Sequence, residues 1–145
     1  MMEPLAHVPR VSPVRFEDLP VGAHCASLHD RLDDALCSEL GVAPAAGDGA
    51  RFAPPGVFPA LFLRAYCNAV GGTIPGAVIA REEIEFHDVA LIGTPVQIDV
   101  WIGDKFVKQK RRYVVVEFGL TGRRGRLLVS GRKIMLWPAE ARAGS

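Results

Sequence analysis

Only three cysteines occur in the 145 residues, Cys25, Cys37 and Cys67, and no two of them stand in CxxC spacing. An odd, scattered set does not build a disulfide framework. It fits buried, reduced thiols, and a cytoplasmic location is expected. Charge of one sign is not in excess either: the net charge is +1, which gives no overall attraction to nucleic acid or to a membrane surface. No apolar run reaches the roughly 18 residues of a membrane span. The opening MMEPLAHVPR has no apolar core of the kind a signal peptide needs. The four histidines show no HxxxH or HxH spacing and the cysteines do not cluster with them, so no metal site is expected. No internal repeat or low-complexity segment appears.

What remains is a chain suited to one packed domain. Apolar residues make up 49% and charged residues 23%, enough for a sizeable core and too apolar for disorder. One local asymmetry stands out. Between Asp104 and Lys133 there are ten Lys/Arg against Asp104 and Glu117 alone. Such a run reads first as the solvated outer face of hairpins, and second as a site for phosphate groups.

Residues 1–14 are Pro-rich without periodicity and read as an irregular arm. A short strand is expected at about 21–26. SLHDRLDDALCSELG (27–41) then reads as a helix: Ser27 suits the N-cap, Asp30 the capping-box position, and Leu28, Leu32, Leu36 and Leu40 recur every four residues before Gly41. The loop VAPAAGDGARFAPPG follows. VFPALFLRAYCNAVGG (57–72) is the second helix, with Pro59 in its first turn and Gly71–Gly72 at its end. Its polar interior members are Arg64, Tyr66 and Asn68. A helix apolar nearly all round needs an enclosure.

Four strand candidates supply it: 76–86, 94–102, 112–120 and 126–136. Val96, Ile98, Val100 and Ile102 alternate with Gln97, Asp99 and Trp101, the pattern of a half-buried strand. TGRRG is a hairpin turn, and GDKFVKQK is either a longer connection or the continuation of two strands into a long hairpin. One long buried helix wrapped by one curved antiparallel sheet is the economical packing, an α+β architecture of the hotdog type. Open sheet edges favour a dimer that continues the sheet.

Three stretches resemble the MaoC-like hydratases and dehydratases. RFEDLPVG (15–22) is similar to their FEDLxVG opening, FAPPGVFPALFL (52–63) to the start of their central helix, and PGAVIAREEIEFHDVALIGTPVQIDVWI (75–102) to a characteristic strand pair. The resemblance spans roughly residues 14 to 138. It implies a single hotdog domain over 15–138, with a tail at 139–145. The family hydrates trans-2-enoyl thioesters or dehydrates 3-hydroxyacyl thioesters, usually on coenzyme A. Its catalytic pair is Asp-x4-His, often within GDxNPxH, in the loop before the central helix. The chemistry needs these types: water is deprotonated as it attacks C3 and C2 receives a proton. A backbone N–H at the helix start holds the thioester oxygen as charge develops.

Against that pattern Asp48 matches the aspartate, but Ala53 stands where the histidine should be, and the Asn-Pro step is missing. The resemblance is therefore closest to degenerate amino-terminal halves of two-hotdog proteins, which pair with a catalytic hotdog and shape the acyl tunnel. Asp48 is either an acid, working or remnant, or a turn former beside glycine. Arg51 either anchors a carrier phosphate or pairs with a nearby acid. Pro54, Pro55 and Gly56 fix the start of the helix, and the amides that follow the prolines, at Gly56 and Val57, are the candidate donors to a thioester, so Pro55, Gly56 and Val57 are read as ligand-binding. Tyr66 and Asn68 either line a ligand pocket or pack in the core. His87 reads as structural, His24 and His29 as solvated or capping residues, and Trp101 and Trp137 as packing or interface residues.

The expected function is then a subunit of an enoyl-thioester hydratase or 3-hydroxyacyl dehydratase system in lipid, steroid or polyketide metabolism. It would be a homodimer, or a heteromer with a catalytic MaoC-like chain. No cofactor is expected beyond the coenzyme A or acyl carrier that bears the substrate, and no nucleic-acid or membrane partner. Two alternatives stay open: a non-catalytic acyl-CoA-binding or structural partner, and a hotdog thioesterase using Asp48.

Overall fold

A computed structural model of the chain describes residues 15–43, 51–70 and 76–138. Among these residues five strands and two helices follow in the order β1 (His24–Leu32), α1 (Asp34–Glu39), α2 (Val57–Ala69), β2 (Val78–Phe86), β3 (Thr94–Lys108), β4 (Arg111–Thr121) and β5 (Leu127–Trp137). The strands form one antiparallel sheet in the order β1-β3-β4-β5-β2. α2 packs on its inner face, the expected helix wrapped by a sheet. The proposed arm at 1–14 and tail at 139–145 lie outside the described residues.

The sheet is built on the alternation read from the sequence. Val96, Ile98, Val100 and Ile102 are buried, while Gln97, Asp99 and Trp101 between them are only half-buried. GDKFVKQK continues the strands: β3 runs to Lys108 and turns through Gln109 and Lys110, both at positive φ, straight into β4. Two consecutive residues at positive φ match the twist of a tight hairpin. TGRRG closes the β4–β5 hairpin, with Arg124 at φ 60°.

α2 meets the sheet through aromatic rings. Phe62 is fully buried and stacks on Phe118 of β4, with centroids 4.9 Å apart. It lies over Gly131 of β5, where a Cβ would come within 2.6 Å of the ring. Glycine is thus required at 131 by close approach of the helix. Burying Phe58, Leu61 and Phe62 stabilises the fold by about 1.5–3 kcal/mol each before conformational entropy is charged against it.

The helix expected over 27–41 forms only in its second half. Residues up to Leu32 belong to β1, which pairs with β3 in the register Leu28↔Ile98 and Leu32↔Thr94. A four-residue spacing is even, so Leu28 and Leu32 share one face of a strand as readily as one face of a helix. The alternating Ser27, His29 and Arg31 are exposed, and the open edge of β3 takes the segment. The N-cap is therefore Asp33, whose carboxylate accepts the Leu36 N–H at 2.8 Å, and not Ser27. Gly41 does stop the helix, at φ 72°.

Part of the basic run is consumed by the fold. The Lys105 ammonium donates to the Phe16 and Glu17 carbonyls at 2.8 and 3.0 Å. Lys105 and Arg112 both lie over the Phe16 ring. These contacts fasten the amino-terminal FED turn (Phe16–Asp18) to the β3–β4 hairpin.

Candidate functional site

The stretch that carried the expected chemistry leads into the first turn of α2. Asp48 lies outside the described residues. Ala53 is described and buried; its N–H donates to the Ala90 carbonyl at 2.7 Å. Phe52 forms an isolated antiparallel bridge with Leu91, and the Ile92 N–H returns to the Arg51 carbonyl at 2.8 Å. Residues 51–53 are thereby laid alongside 90–92. This non-local pairing places Ala53 in an open groove of about 390 Å3 that also includes Pro55, Phe58, Phe86 and His87. Phe58 and Phe86 meet edge to face at 5.6 Å and form its apolar wall.

His87 enters this groove although the sequence alone gave it a structural reading. Its Nε2 and the Ser130 hydroxyl are 2.7 Å apart, and its backbone N–H donates to the Leu128 carbonyl. Asp88 beside it is held by Arg126. An imidazole thus stands in the groove on a different element from the one the motif names. The methyl of Ala53 can neither take nor give a proton.

The expected amide donors are only partly placed for a ligand. The Val57 and Phe58 N–H groups donate to the Pro54 and Pro55 carbonyls at 3.0 and 3.3 Å, within the turn that starts α2. That leaves the Gly56 amide as the candidate donor of this turn. Gly56 itself is the N-cap, in helical backbone conformation. Arg51 pairs with an acid: its guanidinium donates to both carboxylate oxygens of Asp34 at 3.1 and 2.8 Å, a two-pronged bridge from the loop to the start of α1.

The polar residues of α2 separate. Asn68 faces solvent. Arg64 is buried and reaches Glu39 of α1 at 3.3 Å, tying the two helices. Tyr66 is buried, and burial followed by the neighbouring Cys67 pushes its phenol well above the ordinary tyrosine range. It lines a second space, a cavity of about 310 Å3 bounded by Leu19, Cys25, Val100, Ile102 and Val116. Beside this cavity, on the outer side of β1 and β3, the Asp99 carboxylate accepts from Ser27, His24 and Gln97. Burial raises Asp99, but these hydrogen bonds outweigh it and hold the carboxyl below the usual aspartate range.

Lys133 on β5 is the other buried charge. Its ammonium lies 3.9 Å from Glu82 on β2 and over the Phe118 ring. Desolvation holds it below the ordinary lysine range, with Glu82 opposing in part. The outermost strand, β2, is otherwise exposed, and its apolar members Val78, Ile79 and Phe86 remain uncovered. No group of three or more metal-ligating side chains occurs among the described residues, and no described helix is long and apolar enough to cross a membrane.

The sequence matches no family profile and no curated protein. The structure is similar to several solved ones. The R-hydratase PhaJ1 from Pseudomonas aeruginosa superposes with a TM-score of 0.67 at 15% identity, over 88% of each chain. The MaoC-like dehydratase from Rhodospirillum rubrum gives 0.63 at 16% identity, over 86% of this chain and 97% of that one. A hypothetical thioesterase from Streptococcus pneumoniae gives 0.57 at 13% identity, over 79% and 83%. The fold is therefore the hotdog, as expected. Hydratase and thioesterase share it, so the fold alone does not choose between their chemistries.

Proposed function

We propose that this chain is an acyl-thioester-binding hotdog subunit of the MaoC-like, degenerate type. It serves a hydratase or dehydratase system in lipid, steroid or polyketide metabolism without a complete acid/base pair of its own. A second hotdog chain supplies that pair, and this chain supplies groove and interface. The observation that carries the reading is Ala53. It sits in the apolar groove at the start of α2, at the position where the resemblance calls for an imidazole. The uncovered apolar edge of β2 supports pairing with another hotdog, since such an edge is a template for a further strand.

The test is hydration of crotonyl-CoA by the purified chain, alone and mixed with candidate hotdog partners. Silence alone with activity in the mixture is the expected result. Hydration by the chain alone overturns the reading.

One observation favours a second reading. His87 brings an imidazole into the same groove from another element. In that reading the chain is a hotdog enzyme with displaced chemistry, such as a thioesterase in which Asp48 directs water at the thioester carbon and the groove lined by His87 holds the substrate. Release of free CoA from acyl-CoA, lost in Asp48→Asn, would favour it.

A further inference from the structure

The outer face of the sheet, away from α2, carries an apolar band of its own. On β4, Val114, Val116 and Phe118 belong to the core around α2, so the alternating Arg111, Tyr113, Val115 and Glu117 point outward. Residues directly opposite one another in neighbouring strands share a face, so the register extends each of these positions into a row. Tyr113 lies between Phe106 of β3 and Leu136 of β5, and Val115 has Ile134 beside it on β5. Phe106 stacks on Tyr113 with centroids 5.0 Å apart. Phe106 is exposed, Tyr113, Ile134 and Leu136 are half-buried, and none of the four packs against the core around α2.

The charges on this face are segregated along the strands. Lys108 and Arg111 stand side by side at one end of the band, and Trp101 and Glu117 stand side by side at the other. Lys108, Arg111 and Glu117 are exposed, and none of them makes an ion pair with another described residue. Arg111 and Glu117 are six positions apart on one extended strand. At about 3.3 Å per residue that is about 20 Å, too far for them to pair within one chain.

We propose that this face packs on the same face of a second copy of the chain, sheet on sheet, about a two-fold axis that crosses the strands between the Tyr113 and Val115 rows. The operation exchanges the two ends of the band. It sets Arg111 of each copy over Glu117 of the other and Lys108 over the Trp101 ring, an ion pair and a cation–π contact made twice. Between them Tyr113 and Leu136 come over Val115 and Ile134, which buries the apolar band against itself at the roughly 10 Å spacing of stacked sheets. Asp104 comes over Phe106 only at the β3 margin. Arg132 lies between Glu117 and Glu83 in its own row, so it adds no unbalanced charge. An acidic protein or an anionic membrane matches the Lys108–Arg111 end and is repelled by the other, whereas a second copy matches both. The surface is separate from the free edge of β2, and the inference does not depend on the thioester reading.

Sedimentation velocity on the purified full chain tests it. The natural chain should self-associate. Arg111→Glu and Glu117→Arg should each halve the mass of the assembly, weakening this contact about tenfold or more, since like charges then face each other. The double variant, Arg111→Glu with Glu117→Arg, should restore the natural mass. The two positions cannot meet within one chain, so that rescue requires the two-fold contact. Leu136→Lys puts a cation in the middle of the band and should also halve the mass, which keeps the test decisive if a charge reversal disturbs the hairpin. Three results overturn the proposal: a natural chain that stays monomeric; a mass unchanged in the single variants, as when the copies meet only along the β2 edge; or a folded double variant that remains as dissociated as the single ones.

Discussion

The two ends of α2 are built on opposite plans. At its start the chain is open: a shallow groove, exposed Phe52 and Phe86, and one imidazole held by one serine. At its end the chain is more enclosed: buried aliphatic walls, a buried tyrosine, the half-exposed His24 among the lining, and a strand pair fastened by the Asp99 network. Openness at one end suits a ligand that enters and leaves, or a second chain that completes the site. The tighter enclosure at the other end suits packing. The same helix serves both, because its middle is anchored by Phe62 against Phe118 and Gly131.

That middle should carry the largest single effect. Phe62→Ala removes a fully buried ring from between helix and sheet, and a loss of about 3–5 kcal/mol is expected in urea unfolding. Both ends should loosen together. Hydrogen exchange that rose at only one end would show that the two ends do not share this anchor.

Lys133 should give the next effect, in the opposite direction. The sheet buries its ammonium with one carboxylate at 3.9 Å, a long pairing for a desolvated charge. Replacing such a pair by apolar bulk is commonly neutral or stabilising by about 1–4 kcal/mol, so Lys133→Met with Glu82→Gln should raise stability at neutral pH. The pH dependence has a definite sign. The folded-state pKa is depressed, so the unfolded chain binds the extra proton. Stability of the natural chain therefore rises as pH climbs from the folded value of Lys133 toward the ordinary lysine value. The double variant should lose that rise in urea titrations above neutral pH.

Asp99 sharpens the closed end on the acid side. Its carboxyl is depressed, so its contribution is complete above the ordinary aspartate value and is lost as pH falls through the lower folded value. Asp99→Asn should cost about 1 kcal/mol at neutral pH and flatten the acid limb of the stability curve. An unchanged acid limb would mean that the network does not fasten β1 to β3.

How much of this was legible in the sequence depends on the range of the cause. β3 was readable because a two-residue alternation is local, β4 and β5 because Val- and Leu-rich runs flank the TGRRG turn, and α2 because its residues are apolar nearly all round between Gly and Pro boundaries. β1 was misread because leucines four apart satisfy both periods, and only the free edge of β3 decides between them. The missing imidazole at Ala53 was legible as a spacing. Its neighbourhood was not: His87 reaches the groove only because 51–53 pair with 90–92. That Arg51 pairs with an acid was one of its two readings, but Asp34 as the partner, seventeen positions away, left no signal, and the cavity is walled from separate parts of the chain that no window joins.

The smallest structural effect should come from the open end, where it separates the two functional readings. His87 and Ser130 are joined by one exposed hydrogen bond, so His87→Ala should change stability by no more than about 0.5 kcal/mol. Its effect on chemistry has no such ceiling. A positioned acid or base typically contributes about 100- to 10,000-fold. If a partner supplies the pair, as proposed, His87→Ala should leave crotonyl-CoA hydration by the mixed subunits within a few-fold of its original rate. If this groove runs displaced chemistry, the same variant should remove activity while the unfolding curve stays in place. Unfolding and turnover measured on one preparation therefore distinguish a groove that shapes a partner's site from one that acts alone.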